Sequence, residues 1–188
     1  MKNNNTENNY MKLIKGNKAP EFITEDIQNK SVDVFESSKW TFLSFHRFAA
    51  CPFCNMRTHE LIQACDSLQA MDINIISVWP SSTENMLKFV GNETSPFPLV
   101  SDVEKVIYKK YGVTKSSKPA MLKLLVRPNL VMKAMKYKYN DQVIDADMAL
   151  FPAEFLINPE GIVKVAYYGK HFGDHLPVEK ILALRKDT

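Results

Sequence analysis

Two cysteines separated by two residues are the part of the sequence with the clearest chemical potential. They form the loop Cys51-Pro52-Phe53-Cys54, which follows an aromatic-rich segment and precedes a helical pattern. A cysteine at the first turn of a helix is stabilised as a thiolate by unpaired backbone N–H groups and by the positive end of the helix dipole. Pro52 suits that turn, because a missing N–H costs little there. We therefore predict that Cys51 is a nucleophilic thiolate.

The spacing of the pair predicts an intramolecular disulfide cycle. Cys54 lies within one helical turn of Cys51, so the two sulfurs can meet without a large backbone movement. Cys51 would attack a disulfide sulfur or a peroxide oxygen, and Cys54 would then close the 51–54 disulfide. An external thiol reductant must reopen that bond. Arg47 and Arg57 are close in sequence, and we expect them to add positive potential or to orient a substrate.

Half of a zinc site is the main alternative for a Cys-x-x-Cys motif. A tetrahedral site needs two more ligands, and the remaining candidates are Cys65, His46, His59, His171 and His175. Cys65 follows Cys54 by eleven residues on the same predicted helix, roughly 16 Å away, so we place it in the core. We expect His59 on a solvent-facing helix surface, and His171 and His175 in structural polar contacts. The sequence favours redox chemistry over a metal site or an inert pair, and it predicts no bound metal or cofactor.

Length and composition indicate an ordinary globular chain. The 188 residues are 45% hydrophobic, and we predict one domain over 13–188 after an Asn-rich disordered tail over 1–12. No apolar run approaches the ~18 residues that span a bilayer, and the N-terminus has no apolar signal core. Three cysteines without an export signal favour a reducing compartment. We therefore predict a cytoplasmic protein that has no membrane contact.

Positive charge is concentrated between Lys105 and Asn140, where there are ten Lys or Arg residues and no Asp or Glu. Such asymmetry can mark a surface for an acidic partner. No nucleic-acid motif accompanies the charge, so solvated helix faces are the favoured interpretation and nucleic-acid binding is not expected. Methionines in and beside this segment suit core filling or a homodimer contact; they are Met121, Met132, Met135 and Met148.

Strands and helices alternate along the chain, which predicts an α/β fold. We predict extended segments at 22–24 and 31–34, strands at 40–46 and 73–79, helices at 56–70, 83–90 and 103–111, a hairpin at 155–168, and a helix at 178–185. The region near 115–150 is read as a helical insertion broken at Pro119 and Pro128. Alternating elements build a parallel sheet, and the hairpin adds antiparallel strands. The prediction is a mixed central sheet with helices on both faces.

Three segments in this order resemble the peroxiredoxin-like branch of the alkyl hydroperoxide reductase and thiol-specific antioxidant family. They are Gly16-x-x-Ala19-Pro20-Glu21-Phe22, the stretch from Phe45 to Cys54, and the stretch from Phe151 to Gly161. The resemblance implies a thioredoxin-like fold with extra N-terminal strands and with Cys51 as the reactive cysteine. It also implies a thiol-dependent antioxidant oxidoreductase that acts on disulfides or hydroperoxides.

Two positions depart from the peroxiredoxin pattern. Peroxiredoxins resemble Pro-x-x-x-Thr-x-x-Cys at the reactive site, and here the first two positions hold Ser44 and Phe48. Pro152 stands where the family resemblance implies an arginine. Neither Phe48 nor Pro152 has a side chain that can donate a hydrogen bond, so we predict that disulfides react better than hydrogen peroxide. Pro152 instead resembles the proline of thioredoxin and glutaredoxin, which implies a cis Phe151–Pro152 bond beside the cysteines.

Two functional hypotheses follow. The first is a thiol–disulfide oxidoreductase that reduces disulfides or, less efficiently, peroxides, with Cys51, Cys54, Pro152, Arg57 and Arg47 at its site. The second is a redox-sensing or binding protein of the same fold, whose disulfide state controls a partner. The basic segment 105–140 motivates the second hypothesis.

Overall fold

A computed structural model describes residues 11–35, 38–90, 95–114, 126–141 and 143–186. The strands are β1 (Ile23–Glu25), β2 (Ser31–Asp33), β3 (Trp40–Phe45), β4 (Ile73–Trp79), β5 (Leu99–Ser101), β6 (Ala153–Ile157) and β7 (Val163–Tyr168). The helices are α1 (Pro52–Gln69), α2 (Thr83–Phe89), α3 (Val106–Lys110), α4 (Pro128–Met135) and α5 (Val178–Lys186). None of the described helices is both long and apolar enough to cross a membrane.

A five-stranded mixed sheet in the order β5-β4-β3-β6-β7 forms the centre of the fold. The central strand β3 runs parallel to β4 and antiparallel to β6, and every residue of β3 and β6 is buried. Strands covered on both faces are apolar along most of their length, which explains the aromatic-rich sequence of β3. The predicted mixed sheet is confirmed. β5 was not predicted, because it has only three residues and follows two prolines, Pro96 and Pro98.

Alternate residues of β3 divide the core between the two faces of the sheet. Phe42 packs with Leu61 of α1 and Ile181 of α5 on one face. Leu43 and Phe45 pack with residues of α3 and of the N-terminal segment on the other face. Because successive strand side chains point to opposite faces, helices cover both sides of the sheet, as the alternating pattern predicted.

The helix after the cysteine loop begins earlier than predicted. α1 starts at Pro52, four residues before the predicted start, and Cys51 is its N-cap with φ −73° and ψ 119°. The proline ring fixes a φ compatible with the first helical turn and removes an N–H that would have no partner there. Cys51 therefore precedes the helix directly, and Cys54 lies within its first turn.

Other boundaries differ where side chains cap a helix. α3 begins at Val106 rather than at 103, because the Asp102 carboxylate accepts from the backbone N–H groups of Val106, Ile107 and Tyr108 at 2.8 to 3.1 Å. The break predicted at Pro128 is confirmed, since α4 starts there. The break predicted at Pro119 lies outside the described residues, as do 1–10 of the predicted N-terminal tail.

Candidate active site

The cysteine loop lies at the carboxyl end of the central strand. The Cys51 carbonyl accepts the first helical hydrogen bond from Asn55 at 3.0 Å, and the Asn55 side chain donates to the Ala49 carbonyl at 3.0 Å. The Ala49 N–H donates in turn to Ser81 Oγ at 2.8 Å, which ties the loop to the end of β4. Cys51 and Cys54 are both free thiols, and both are buried. The fold thus holds the pair in a fixed loop between β3 and α1.

Arg47 contacts both sulfurs. Its Nη1 lies 3.3 Å from Cys51 Sγ, and its backbone N–H donates to Cys54 Sγ at 3.3 Å. The guanidinium is fixed by donation to the carbonyls of Leu150 at 2.8 Å and Met148 at 2.6 Å. A buried guanidinium with carbonyl acceptors keeps its positive charge, and that charge lies beside the Cys51 sulfur.

The surroundings of the pair separate the acidities of the two thiols. Burial opposes ionisation of Cys51, but the hydrogen bond from Cys54, the charge of Arg47 and the backbone N–H groups of Cys54 and Phe53 lower its pKa to about 6. Burial raises the pKa of Cys54 well above its usual value, and the adjacent Cys51 sulfur raises it further. At neutral pH the arrangement favours a thiolate at Cys51 and a thiol at Cys54.

Arg57 lies in a different environment from Arg47. Its side chain is buried, donating from Nε to Glu154 Oε1 at 2.8 Å and from Nη2 to the Leu176 carbonyl at 2.8 Å. Arg57 is therefore not a solvent-exposed charge on the helix surface. The structure places this guanidinium in an ion pair beneath α1, with Glu60 at 3.3 Å as its more exposed partner.

Glu154 is a buried acid that sequence reasoning missed. Its carboxylate accepts from His175 Nδ1 at 3.0 Å, Ser44 Oγ at 3.3 Å and the Leu176 N–H at 2.6 Å, in addition to Arg57. Burial opposes its ionisation, but Arg57 and His175 hold its pKa at about 2. The sequence did contain a signal for this site, because Glu154 is a charged residue inside the otherwise apolar strand β6. A charged group in a buried strand needs a buried partner.

The histidines contribute structural contacts. His46 stacks on Trp79 with ring centroids 4.0 Å apart. Burial is the main cause that lowers the pKa of His46 well below its usual value, and the nearby His175 lowers it further. His59 lies beside Gln63 at a half-buried helix position, with 3.0 Å between their Nε2 atoms. The Gly173 N–H approaches His171 Nδ1 at 3.3 Å. Within the described ranges, no group of three or more His, Cys, Asp or Glu side chains is arranged to hold a metal ion.

The prediction of a cis bond before Pro152 is wrong. Among the described residues there is no cis peptide bond, so Phe151–Pro152 is trans. The dipeptide itself favours trans by ~0.5–1 kcal/mol, and only the likeness to thioredoxin argued for cis. Pro152 is buried where the chain enters β6, and its carbonyl accepts from the Gly169 N–H at 2.8 Å. The carbonyls that Arg47 binds belong to Leu150 and Met148, two and four residues before Pro152.

Comparison with known proteins agrees with this architecture. The sequence profile of the AhpC/TSA family matches residues 15–166. Peroxiredoxin 1 of Sulfuracidifex metallicus is 23% identical over 161 residues, covering 82% of this chain and 60% of the relative. The protein Bcp of Buchnera aphidicola is 25% identical over 99 residues, covering 52% of this chain and 63% of the relative. The chain therefore spans less than two thirds of the length of either curated relative.

A solved structure shows the same fold. The peroxidoxin BcpB of Mycobacterium tuberculosis superimposes with a TM-score of 0.68 at 15% identity, over 93% of this chain and 97% of BcpB. The predicted thioredoxin-like fold is confirmed by this likeness and by the mixed sheet with helices on both faces. With a family profile that matches most of its length, the chain belongs to the AhpC/TSA family.

Proposed function

We propose that this protein is a thiol-dependent antioxidant oxidoreductase in which Cys51 attacks the substrate and Cys54 resolves the intermediate. The observation that carries the proposal is the double contact of Arg47, whose side chain meets one sulfur while its backbone N–H meets the other. The guanidinium favours an ionised Cys51, whereas burial and the adjacent Cys51 sulfur raise the pKa of Cys54 and keep it protonated. Such a pair is the starting state for thiol–disulfide exchange.

The proposed cycle transfers two electrons from the cysteine pair. The Cys51 thiolate attacks one sulfur of a substrate disulfide, and the other substrate sulfur leaves as a thiolate. Cys54 then loses its proton and attacks Cys51, which expels the second substrate thiolate and leaves the 51–54 disulfide. An external thiol reductant restores the dithiol. With a hydroperoxide, the Cys51 thiolate attacks the terminal oxygen, the O–O bond breaks, and the other oxygen leaves as an alcohol, or as water when the substrate is hydrogen peroxide. Cys54 then attacks the sulfur of the Cys51 sulfenic acid, which forms the 51–54 disulfide and releases water.

Disulfides are the favoured substrates in this proposal. A peroxide needs several donors directed at the oxygen on which charge develops, and Phe48 provides none from its side chain. A disulfide needs a thiolate and a nearby resolving thiol, and the loop supplies both. Hydroperoxides are the second candidate, because Arg47 Nη1 already lies 3.3 Å from Cys51 Sγ and can donate to an oxygen bound there. We also propose that the protein is cytoplasmic and that it forms a homodimer. The alternative proposal is a redox sensor.

Competition among oxidants tests the substrate class. Reduced protein is mixed rapidly, in three separate reactions, with hydrogen peroxide, an organic hydroperoxide or a peptide disulfide. The rate at which the Cys51 thiol is lost is compared between the reactions at one pH. We expect the disulfide to react fastest and the Cys51→Ser variant to be inert, whereas Cys65→Ser, a matched control at a buried helix cysteine, behaves like the wild type. A hydroperoxide rate far above that of an ordinary thiolate, with slow disulfide exchange, would identify a peroxidase instead.

Steady-state turnover separates the enzyme from the sensor. With an excess of disulfide and of thiol reductant, the oxidoreductase proposal predicts many cycles per protein molecule. A single oxidation without turnover under those conditions would support the redox-sensing hypothesis.

A further inference from the structure

A buried tyrosine hydroxyl lies one peptide group away from the resolving cysteine. The Tyr108 hydroxyl donates to the carbonyl of His46 at 2.6 Å. The N–H of the same peptide group belongs to Arg47, and it donates to Cys54 Sγ at 3.3 Å. Tyr108 and Cys54 are both fully buried. The hydroxyl, the peptide group and the sulfur therefore form a continuous, buried chain of hydrogen bonds.

The sheet leaves the His46 carbonyl without its regular donor. β3 and β4 pair in parallel, and the His46 N–H donates to the Val78 carbonyl at 3.0 Å. In such a pair, a residue that donates to one position of the neighbouring strand accepts from the N–H two positions further along that strand. Two positions after Val78 stands Pro80, which has no N–H to donate. The Tyr108 hydroxyl supplies the donor that the proline removes.

Packing holds the Tyr108 hydroxyl at that carbonyl. The Asp102 carboxylate caps α3 and accepts from the Tyr108 N–H at 3.1 Å, and the ring packs edge-on against Phe45 with centroids 4.9 Å apart. The Val78 carbonyl also lies 2.9 Å from the hydroxyl, but it already accepts from the His46 N–H. Since a hydroxyl has a single hydrogen, the shorter contact assigns that hydrogen to the His46 carbonyl.

This chain of hydrogen bonds acts on the acidity of Cys54. Burial raises the pKa of Cys54, and the hydrogen bond from the Arg47 N–H opposes that rise. A donor at the carbonyl polarises the peptide group and strengthens its N–H as a donor. Burial and the charge of the nearby Cys54 sulfur raise the pKa of Tyr108 well above its usual value, so its hydroxyl keeps the hydrogen that it donates.

We propose that Tyr108 is a positioning residue for the resolving step, because its hydroxyl orients and polarises the peptide group whose N–H stabilises the Cys54 thiolate. The inference rests on the proposed function, in which Cys54 resolves the intermediate on Cys51. Cys54 must lose its proton before it attacks Cys51, and it carries negative charge again when an external thiol expels it from the 51–54 disulfide. Tyr108 therefore acts on the steps that involve Cys54 and not on the first attack by Cys51.

The symmetric disulfide of thionitrobenzoate reports the two steps separately, in a Cys65→Ser background. Cys51 attacks one of its sulfurs and releases the first thionitrobenzoate, and Cys54 then loses its proton, attacks Cys51 and releases the second. The first rate rises with reagent concentration, whereas the second step is unimolecular, so a high concentration separates them. We expect Tyr108→Phe to keep the first rate within about twofold and to slow the second about three- to tenfold.

Tyr111→Phe is the matched control. Tyr111 is also fully buried and packs against the same Phe45, with ring centroids 5.4 Å apart, but its hydroxyl donates to the Pro20 carbonyl at 2.8 Å. Its removal should destabilise the fold to a similar extent and leave both release rates unchanged. A second rate that is unchanged in Tyr108→Phe, or that Tyr111→Phe slows equally, would overturn the proposal.

The amide proton of Arg47 separates this inference from the proposed function. If the Cys65→Ser parent releases no second thionitrobenzoate, Cys54 is not the resolving cysteine and the proposed function fails. Nuclear magnetic resonance of the reduced protein then tests the hydrogen-bond chain by itself. Tyr108→Phe should move the Arg47 amide proton upfield, because the peptide group is less polarised, and Tyr111→Phe should leave it in place. An Arg47 signal that does not move in Tyr108→Phe would overturn the inference, even where the second thionitrobenzoate is released.

Discussion

Replacing Arg47 by methionine should make Cys51 a weaker acid. The guanidinium lies 3.3 Å from Cys51 Sγ, and a charge-assisted hydrogen bond contributes about 1.5–3 kcal/mol. Since 1.36 kcal/mol corresponds to one pKa unit, the variant should raise the pKa of Cys51 by about one to two units from its value of about 6. At pH 6.5 the thiolate fraction would fall several-fold, and the reaction with neutral alkylating agents would slow in proportion.

The assay is the rate of Cys51 alkylation by iodoacetamide as a function of pH, in a background with Cys54 and Cys65 changed to serine. Arg185→Met is a matched control, because it removes a guanidinium that lies over Trp40, at the opposite end of β3 from the cysteine loop. We expect the control to keep the parent titration curve. A midpoint that moves by less than about 0.3 unit in Arg47→Met would refute the assignment and show that the side chain at position 54 and the backbone N–H groups maintain the thiolate without Arg47.

Three further perturbations test the surroundings of the site. Glu154→Gln leaves the buried Arg57 with only the exposed Glu60 as a counter-ion among the described residues and should lower the free energy of unfolding by about 3–5 kcal/mol in urea titrations. A loss below about 1 kcal/mol would contradict the ion-pair account. Folding lowers the pKa of Glu154 to about 2 from ~4.3, so ionised Glu154 stabilises the folded protein above pH ~4 and this stabilisation is lost towards pH 2. Because glutamine does not titrate, the loss of stability on acidification should be smaller in the Glu154→Gln variant. Phe172→Ala removes a ring that stacks at 3.5 Å on the guanidinium beside Cys51, and faster alkylation is expected; an unchanged rate would mean that this ring does not limit access. Tyr108→Phe should cost about 1 kcal/mol, because its hydroxyl donates at 2.6 Å to the carbonyl that follows β3, and a neutral result in thermal unfolding would contradict that.

The sequence could predict the position of the reactive pair because local rules determine it. A buried aromatic strand, a proline at a helix start and two cysteines within one turn are all contiguous features, and each has a direct structural consequence. The helix start was placed four residues too late, because the periodic apolar positions that identify a helix begin only after its first turn.

The polar network beneath the site could not be predicted in the same way. Glu154 meets Arg57 across 97 residues and His175 across 21, and sequence spacing carries no information about either contact. The two candidate arginines also looked equivalent, yet only the contacts of the folded chain distinguish Arg47 at the sulfurs from Arg57 at the carboxylate. The error at Pro152 arose differently, because a likeness to another family was the main argument for a cis bond.

Trapping the first intermediate tests the central claim most directly. The Cys54→Ser variant is mixed with a peptide disulfide, and the products are identified by mass spectrometry after proteolysis. We predict a stable mixed disulfide on Cys51 in that variant, a 51–54 disulfide with free Cys65 in the wild type, and no adduct in Cys51→Ser. An adduct on Cys54 or Cys65 in the wild type, or a disulfide that links two chains, would contradict the roles assigned to Cys51 and Cys54.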